Sequence, residues 1–418
     1  MENQEIVNQM DNNKVEDKGG EPVQTEQRQP DDMSEKNEKK RNIVIASVTG
    51  GVMLLVLAIA LALNFTGNGD SVSDNTSNGQ SSSIDAGDTA SNSGSATINT
   101  AGTYRYSGTQ DPITINTSGD VVLVFDSVSI TSNSGPAIYV ADADSVTIVL
   151  NGENTITAKN TTDDLEGAIH STDDLIFEGD GSLTVNANLD GIVSKDTLTI
   201  KSGTSTVNSG DDCIKGKDSV EISGGTFNLV SSAGDGIKST NKDGAKLGYV
   251  YITGGKFNIK VADDGIHAIT KLTIDDGDLT INAHEALEAT YVTINGGTID
   301  ITASDDGINA AAKSSAYTPT IEINGGNVNI SMGQGDTDAI DSNGNIKVTG
   351  GNINITAQFA FDFDGTATYI GGTIVVNGET ISSITNSMMM GPGAQGQQPQ
   401  QGQQGQAAPQ GQRMQYRR

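Results

Sequence analysis

VTINGGTIDI, Val292–Ile301, contains two short runs in which apolar residues alternate with Thr, Asn or Asp, separated by a Gly-Gly pair. Alternation has the two-residue period of a strand, so the stretch predicts strand, tight turn, strand. The glycine pair recurs at Gly224-Gly225, Gly254-Gly255, Gly296-Gly297, Gly325-Gly326, Gly350-Gly351 and Gly371-Gly372. A second marker runs in phase with it. An apolar residue returns at Ile169, Ile192, Ile214, Ile237, Ile266, Leu287, Ile308, Ile340 and Phe361, mostly in steps of 21 to 23. The steps from Ile237 to Ile266 and from Ile308 to Ile340 are longer, and each holds a polar insert, NKDGAKLG and AKSSAYTPT.

Each unit therefore carries three short strands and no helical period. A unit this small cannot bury its own apolar face, so neighbours must stack. Stacked three-strand coils make an all-β chain, a single-stranded parallel β-helix. Phe227, Phe257, Ile299, Val328, Ile353 and Ile374 are expected to form an interior ladder. Ser194, Gly216, Ser239, Ala268, Ala289 and Ala310 are expected to fill a tighter corner. With coils about 4.8 Å apart, some 10–12 of them make a rod roughly 50 Å long. A propeller needs longer blades, and a sandwich has no strict period.

The ends of the chain differ from this middle. Residues 1–42 are polar without an apolar period, which predicts a disordered tail. Ile43–Leu63 is uncharged and long enough to span a bilayer. Lys39, Lys40 and Arg41 precede it, which places the tail in the cytoplasm and the rest outside. A cleaved signal peptide is the alternative, but the polar leader is long for one. Residues 64–97 read as a flexible Ser/Asn/Gly linker, 98–388 as the β-helix, and 389–418 as a Gln/Gly/Pro-rich disordered tail. The formal charge of -29 argues against nucleic acid as a partner. The lone Cys213 excludes an internal disulfide and reads as a packing residue.

The segments VVLVFDSVSITSNSGPAIYV (Val121–Val140), STDDLIFEGDGSLTVNA (Ser171–Ala187), LDGIVSKDTLTI (Leu189–Ile200) and DDCIKGKDSVEISGGTFNL (Asp211–Leu229) carry a family resemblance. The chain from about Gly102 to Asn386 resembles the clostridial carbohydrate-binding domain family, with its pectate-lyase-like right-handed parallel β-helix. That resemblance implies a calcium-carrying cell-surface protein that binds acidic plant polysaccharide or cellulose.

The residues add a pattern of their own. Two positions before the apolar marker stand Asp190, Asp212, Asp235, Asp264, Glu285, Asp306 and Asp338. Three before it stand Asp211, Asp263 and Asp305. One after it, pointing outward, stand Lys215, Lys238, His267, Glu288, Asn309, Asp341 and Asp362. Stacking turns these into columns. Two carboxylates about 5 Å apart repel by roughly 1 kcal/mol in water and about 3 kcal/mol at an effective dielectric of 20. Ca²⁺, which takes six to eight oxygens, would relieve a column of them. Asp is also a good turn residue, but Glu285 holds the charge without being a turn former. The candidate calcium ligands are Asp211, Asp212, Asp235, Asp263, Asp264, Glu285, Glu288, Asp305, Asp306, Asp338 and Asp341. Gly265 and Gly307 are expected to turn the backbone sharply beside them. His170, His267 and His284 lack a regular metal spacing and read mainly as surface residues.

Lys215, Lys238 and His267 share the acid columns and are the candidate glycan contacts. A calcium-dependent lyase would need such a cation as its base. Yet the acids spread over many coils, which suits linked weak binding along a polymer better than one focused active site. The absence of Trp points away from flat crystalline cellulose and toward pectin-like polyuronate. Tyr249, Tyr251, Tyr291, Tyr317 and Tyr369 are left to offer some stacking. The reading is a membrane-anchored, monomeric, cell-surface carbohydrate-binding protein. A polysaccharide lyase and a structural adhesin or wall spacer without glycan specificity stay open beside it.

Overall fold

In the computed structural model of the chain, residues 96–335 and 337–387 are described. The predicted tail 1–42, apolar span 43–63, most of the linker 64–97 and the tail 389–418 lie outside them. The described residues are all β, and among them no helix is long and apolar enough to cross a membrane.

Three strands make one coil. Ile214–Gly216, Ser219–Ile222 and Thr226–Ser231 form one, and Ile237–Ser239, Tyr249–Ile252 and Lys256–Lys260 form the next. Each strand pairs in parallel with its counterpart one coil on. A single column in register reads Ala96, Ile113, Ile138, Ile169, Ile192, Ile214, Ile237, Ile266, Leu287, Ile308, Ile340 and Phe361, twelve rungs. This is the stacked parallel arrangement of a β-helix. The antiparallel strand pair among the described residues sets Glu379–Thr380 against Val375 and Val376. It covers the edge that the last coil would otherwise leave open to pairing.

The interior is a stack of like side chains. Phe227 and Phe257 lie 4.7 Å apart between ring centroids and 8° from parallel, so their spacing is the coil repeat itself. The ladder continues through Leu279, Ile299, Val328, Ile353 and Ile374, all buried. Ser194, Gly216, Ser239, Ala268, Ala289 and Ala310 fall in register at the tighter corner.

The glycines divide into two kinds. The second of each Gly-Gly pair turns left-handed, as Gly297 does at φ +85°, where an L side chain is strained. Gly265 and Gly307 are different: the chain bends at both, as expected, but without a left-handed φ. A Cβ on Gly265 would strike Ile281 and lie 2.5 Å from the Ala286 carbonyl oxygen. One on Gly307 would lie 2.5 Å from the Ala339 carbonyl oxygen. These glycines let successive coils approach closely. Cys213 is buried as a packing residue, with Sγ 3.2 Å from Ser209 Oγ, and burial pushes its thiol up to about 12.

Candidate functional site: an acid column with and without counter-charges

The acid column serves the backbone first. Asp190 Oδ1 accepts the Asp212 N–H at 3.0 Å, Asp212 Oδ1 the Asp235 N–H at 3.0 Å, and Asp235 Oδ1 the Asp264 N–H at 2.9 Å. Asp306 Oδ1 accepts the Asp338 N–H at 3.3 Å. Each of these acids thus satisfies the peptide group at its own position one coil on. That is why a short carboxylate stands there, and Asp190, Asp212 and Asp235 are almost fully buried by it.

In the first half of the column the charge is neutralised from within. Lys215 Nζ sits 3.1 Å from Asp190, 3.2 Å from Asp212 and 3.5 Å from Glu166. Lys238 Nζ sits 3.2 Å from Asp212 and 2.9 Å from Asp235. His267 Nδ1 lies 2.7 Å from Asp264, 3.1 Å from Glu288 and 3.9 Å from Asp235. Lys313, carried by the second insert, closes the run at 2.6 Å from Glu288. The three predicted glycan contacts are therefore ion-paired and largely covered, threaded between successive acids. Burial works against their charge, but the carboxylates outweigh it: Lys215 and Lys238 are raised, and His267 is pushed up to about 9.

Replacing Lys238 with Met would leave Asp212 and Asp235 facing each other. Lys238→Met is expected to cost about 1–3 kcal/mol at neutral pH, below the figure for a fully buried pair because the side chain is partly exposed. The loss should shrink at pH 4, because burial raises Asp235 and favours its protonated form as pH falls. Thermal unfolding at the two pH values checks it.

Beyond Glu288 the cations stop. The outward column continues as Asn309, Asp341 and Asp362. Asn309 Nδ2 donates to Glu285 Oε2 at 3.0 Å, while its buried Oδ1 has no hydrogen-bond partner among the described residues. Among those residues Asp306 and Asp341 make no ion pair. Burial, then the charges of Asp341, Glu285 and Asp305, push Asp306 up to about 8. Burial, then Asp362 and Asp364, push Asp341 up to about 6. Burial, then Glu288, push Glu285 up to about 7. Burial raises cation-paired acids too, Asp190 to about 6 and Asp264 to about 7, so what sets Asp306 and Asp341 apart is that no cation of the protein pairs with them among the described residues.

Ligand atoms of Asp264, Glu285 and Glu288 lie within 4.8 Å of one another, as do those of His284, Glu285 and Asp305. In the first, Asp264 and Glu288 are still paired with His267 and Lys313, and in the second His284 Nδ1 lies 3.9 Å from Asp305, so Glu285, common to both, is the acid without an ion pair among the described residues. Two further groups, Asp235 with Asp264 and His267, and Asp190 with Asp211 and Asp212, lie in the compensated half. Asp211 and Asp263 are exposed. The reading of the histidines as surface residues is corrected for two of them. His170 is buried, and burial, then Lys195, lowers it to about 4. His267 is an internal cation of the column. Glu166 stands three before the marker Ile169, in phase with Asp211, but was missed because its unit carries Gly167 where the column acid stands; Lys313 was missed because it lies in an insert outside the repeat.

Stacked coils carrying a column of charges along one face make a repeat scaffold. The model of the family described as carbohydrate-binding domain-containing protein matches residues 92–336 and 286–387. The chain belongs to this family. A protein of that description from Acetivibrio thermocellus is 35% identical over 199 residues, covering 44% of this chain and 69% of the relative. A solved structure titled polysaccharide lyase-like protein from C. thermocellum, a gadolinium derivative, is 32% identical, with a TM-score of 0.43, over 49% of this chain and 83% of that one.

Proposed function

We propose that this chain is a cell-surface glycan-binding protein that holds calcium in the uncompensated part of its acid column and grips pectin-like polyuronate through it. The observation that carries this reading is the change at Glu288. Up to Glu288 the paired acids of the column have cations of the protein's own, whereas Glu285 in the same coil, and Asp306 and Asp341 beyond it, are in no ion pair among the described residues. The donors there are carboxylate and amide oxygens, the type that Ca²⁺ takes. Glu285, Asp305, Asp306, Asp338, Asp341 and the Asn309 amide oxygen are the residues that would hold it. The ion would supply positive charge shared between protein and uronate carboxylates, so an acidic protein could hold an acidic glycan.

Lyase chemistry is less well supported. A base must be neutral to take a proton, whereas Lys215 and Lys238 are kept charged by their acids. We take the winding as right-handed, the sense of nearly all parallel crossovers. The apolar run 43–63 would anchor the chain with its coils outside the cell. Co-sedimentation with polygalacturonate gel and with cellulose, in calcium and in chelator, tests the binding. Retention on polygalacturonate in calcium, with most of it lost in chelator, is expected. Equal retention on neither polymer would favour a spacer without glycan specificity, and release of unsaturated sugars would favour the lyase.

A further inference from the structure

The two inserts are far apart in sequence and meet in space. Tyr317 of the second donates its hydroxyl to the Ala245 carbonyl of the first at 3.2 Å, across 72 residues. Buried threonines of the coils between hold both inserts in place. Thr270 Oγ1 donates to the Leu247 carbonyl at 2.6 Å, and the Ser314 N–H donates to Thr290 Oγ1 at 2.9 Å. Most coils complete their turn without such loops, so the inserts are not needed for winding.

Beside them an outward column runs Tyr249, Lys271, Tyr291, Thr320 in register. The ring hydroxyls are tied down by acids: Tyr249 to Glu221, Tyr251 to Asp275, and Tyr291 to Glu322 at 2.7 Å. Tyr317 packs on Tyr291 with ring centroids 5.7 Å apart at 60°, and Lys271 Nζ stands 5.4 Å from the Tyr291 centroid. Lys242 and Lys246 project from the first insert into solvent. Among the described residues none of these three lysines is in an ion pair, although the chain carries a net charge of -29. Fixed rings with unneutralised cations suit one kind of ligand. Sugar rings offer apolar C–H faces to aromatic side chains, and uronate carboxylates offer the matching negative charge.

We propose that the corner formed by Tyr249, Tyr291, Tyr317, Lys242, Lys246 and Lys271 is a second glycan contact, one that binds uronate-containing chains without a metal ion. It rests on the glycan-binding reading above and adds a site separate from the acid column. Because coils and extended-chain sugars advance by similar distances, a chain lying along the axis would meet Tyr249, Lys271 and Tyr291 in turn.

The chain has no Trp, so its intrinsic emission comes from tyrosine. Full-length protein is titrated with oligogalacturonate in excess chelator, following tyrosine emission and heat. Saturable binding with a change in emission is expected. Tyr317→Ala together with Lys271→Glu should weaken it by about tenfold or more while the melting profile stays cooperative. Tyr317 lies in an insert and Lys271 faces outward, so neither change disturbs the interior. Chelator-resistant binding of unchanged strength in the folded double variant overturns this site alone. No chelator-resistant binding in the wild type, with calcium-dependent binding intact, also overturns it and spares the column. No binding in either condition overturns the glycan reading itself.

Discussion

Ile266→Asp is expected to unfold the central coils at room temperature. Ile266 is fully buried and stands in register between Ile237 and Leu287. The substitution removes a packed side chain, worth about 2–5 kcal/mol, and leaves a carboxylate with no partner in an apolar interior, a further several kcal/mol. In a stack each coil is stabilised by its neighbours, so the defect spreads along the axis. Asn258→Asp is the matched control. Asn258 is on the solvent face, where its Nδ2 donates to Asn228 Oδ1 at 2.8 Å, and the change should cost about 1 kcal/mol or less. Urea unfolding followed by circular dichroism separates them. Equal shifts for the two variants would contradict the strand phase.

Metal-free protein is expected to lose stability as pH rises from about 4 to about 8, by several degrees in Tm, and calcium should restore it only at the upper end. Asp306, Glu285 and Asp341 are raised to about 8, about 7 and about 6 from ordinary values of 3.8, 4.5 and 3.8. Between those limits the folded chain keeps protons that the unfolded chain has released. Stability therefore falls with pH across that window. His267, raised from 6.5 to about 9, adds in the same direction above its ordinary value. At pH 5 the raised acids of the uncompensated part are mostly protonated and have little to offer a cation. At pH 8 Asp341 and Glu285 are mostly ionised and Asp306 is about half ionised. Asp306→Asn with Asp341→Asn should raise the Tm of metal-free protein at pH 8, flatten the profile and abolish the calcium response. Asn keeps an oxygen to accept the Asp338 N–H, so the backbone ladder survives. Melting curves across pH, with and without calcium, check each part.

The scaffold was readable because its period is written in single residue types. The Gly-Gly turn and the alternating strands recur in nearly every unit, and the marker column from Ile169 to Phe361 falls on one line of the structure. Leu279 escaped the predicted ladder because its unit has Asp276-Gly277 where the others have Gly-Gly. The earlier coils were harder because Val121–Ser132 is a single strand of 12 residues interrupted by Ser127 at φ 59°. The acid column was legible as a column, but its meaning was not. Sequence spacing says that Lys215 and Asp212 lie near each other, yet not that the lysine turns back to sit between two coils. The meeting of Tyr317 with Ala245 was invisible because nothing in either insert encodes the other.

Calcium titration calorimetry of the wild type and of the Asp306→Asn, Asp341→Asn variant at pH 8 tests the central claim most directly. The account predicts saturable binding in the wild type and fewer calcium ions bound by the variant, with the Lys238 half of the column unaffected. The same stoichiometry and affinity in both proteins would contradict it. The acids after Glu288 would then be no more than acceptors for the backbone of the next coil.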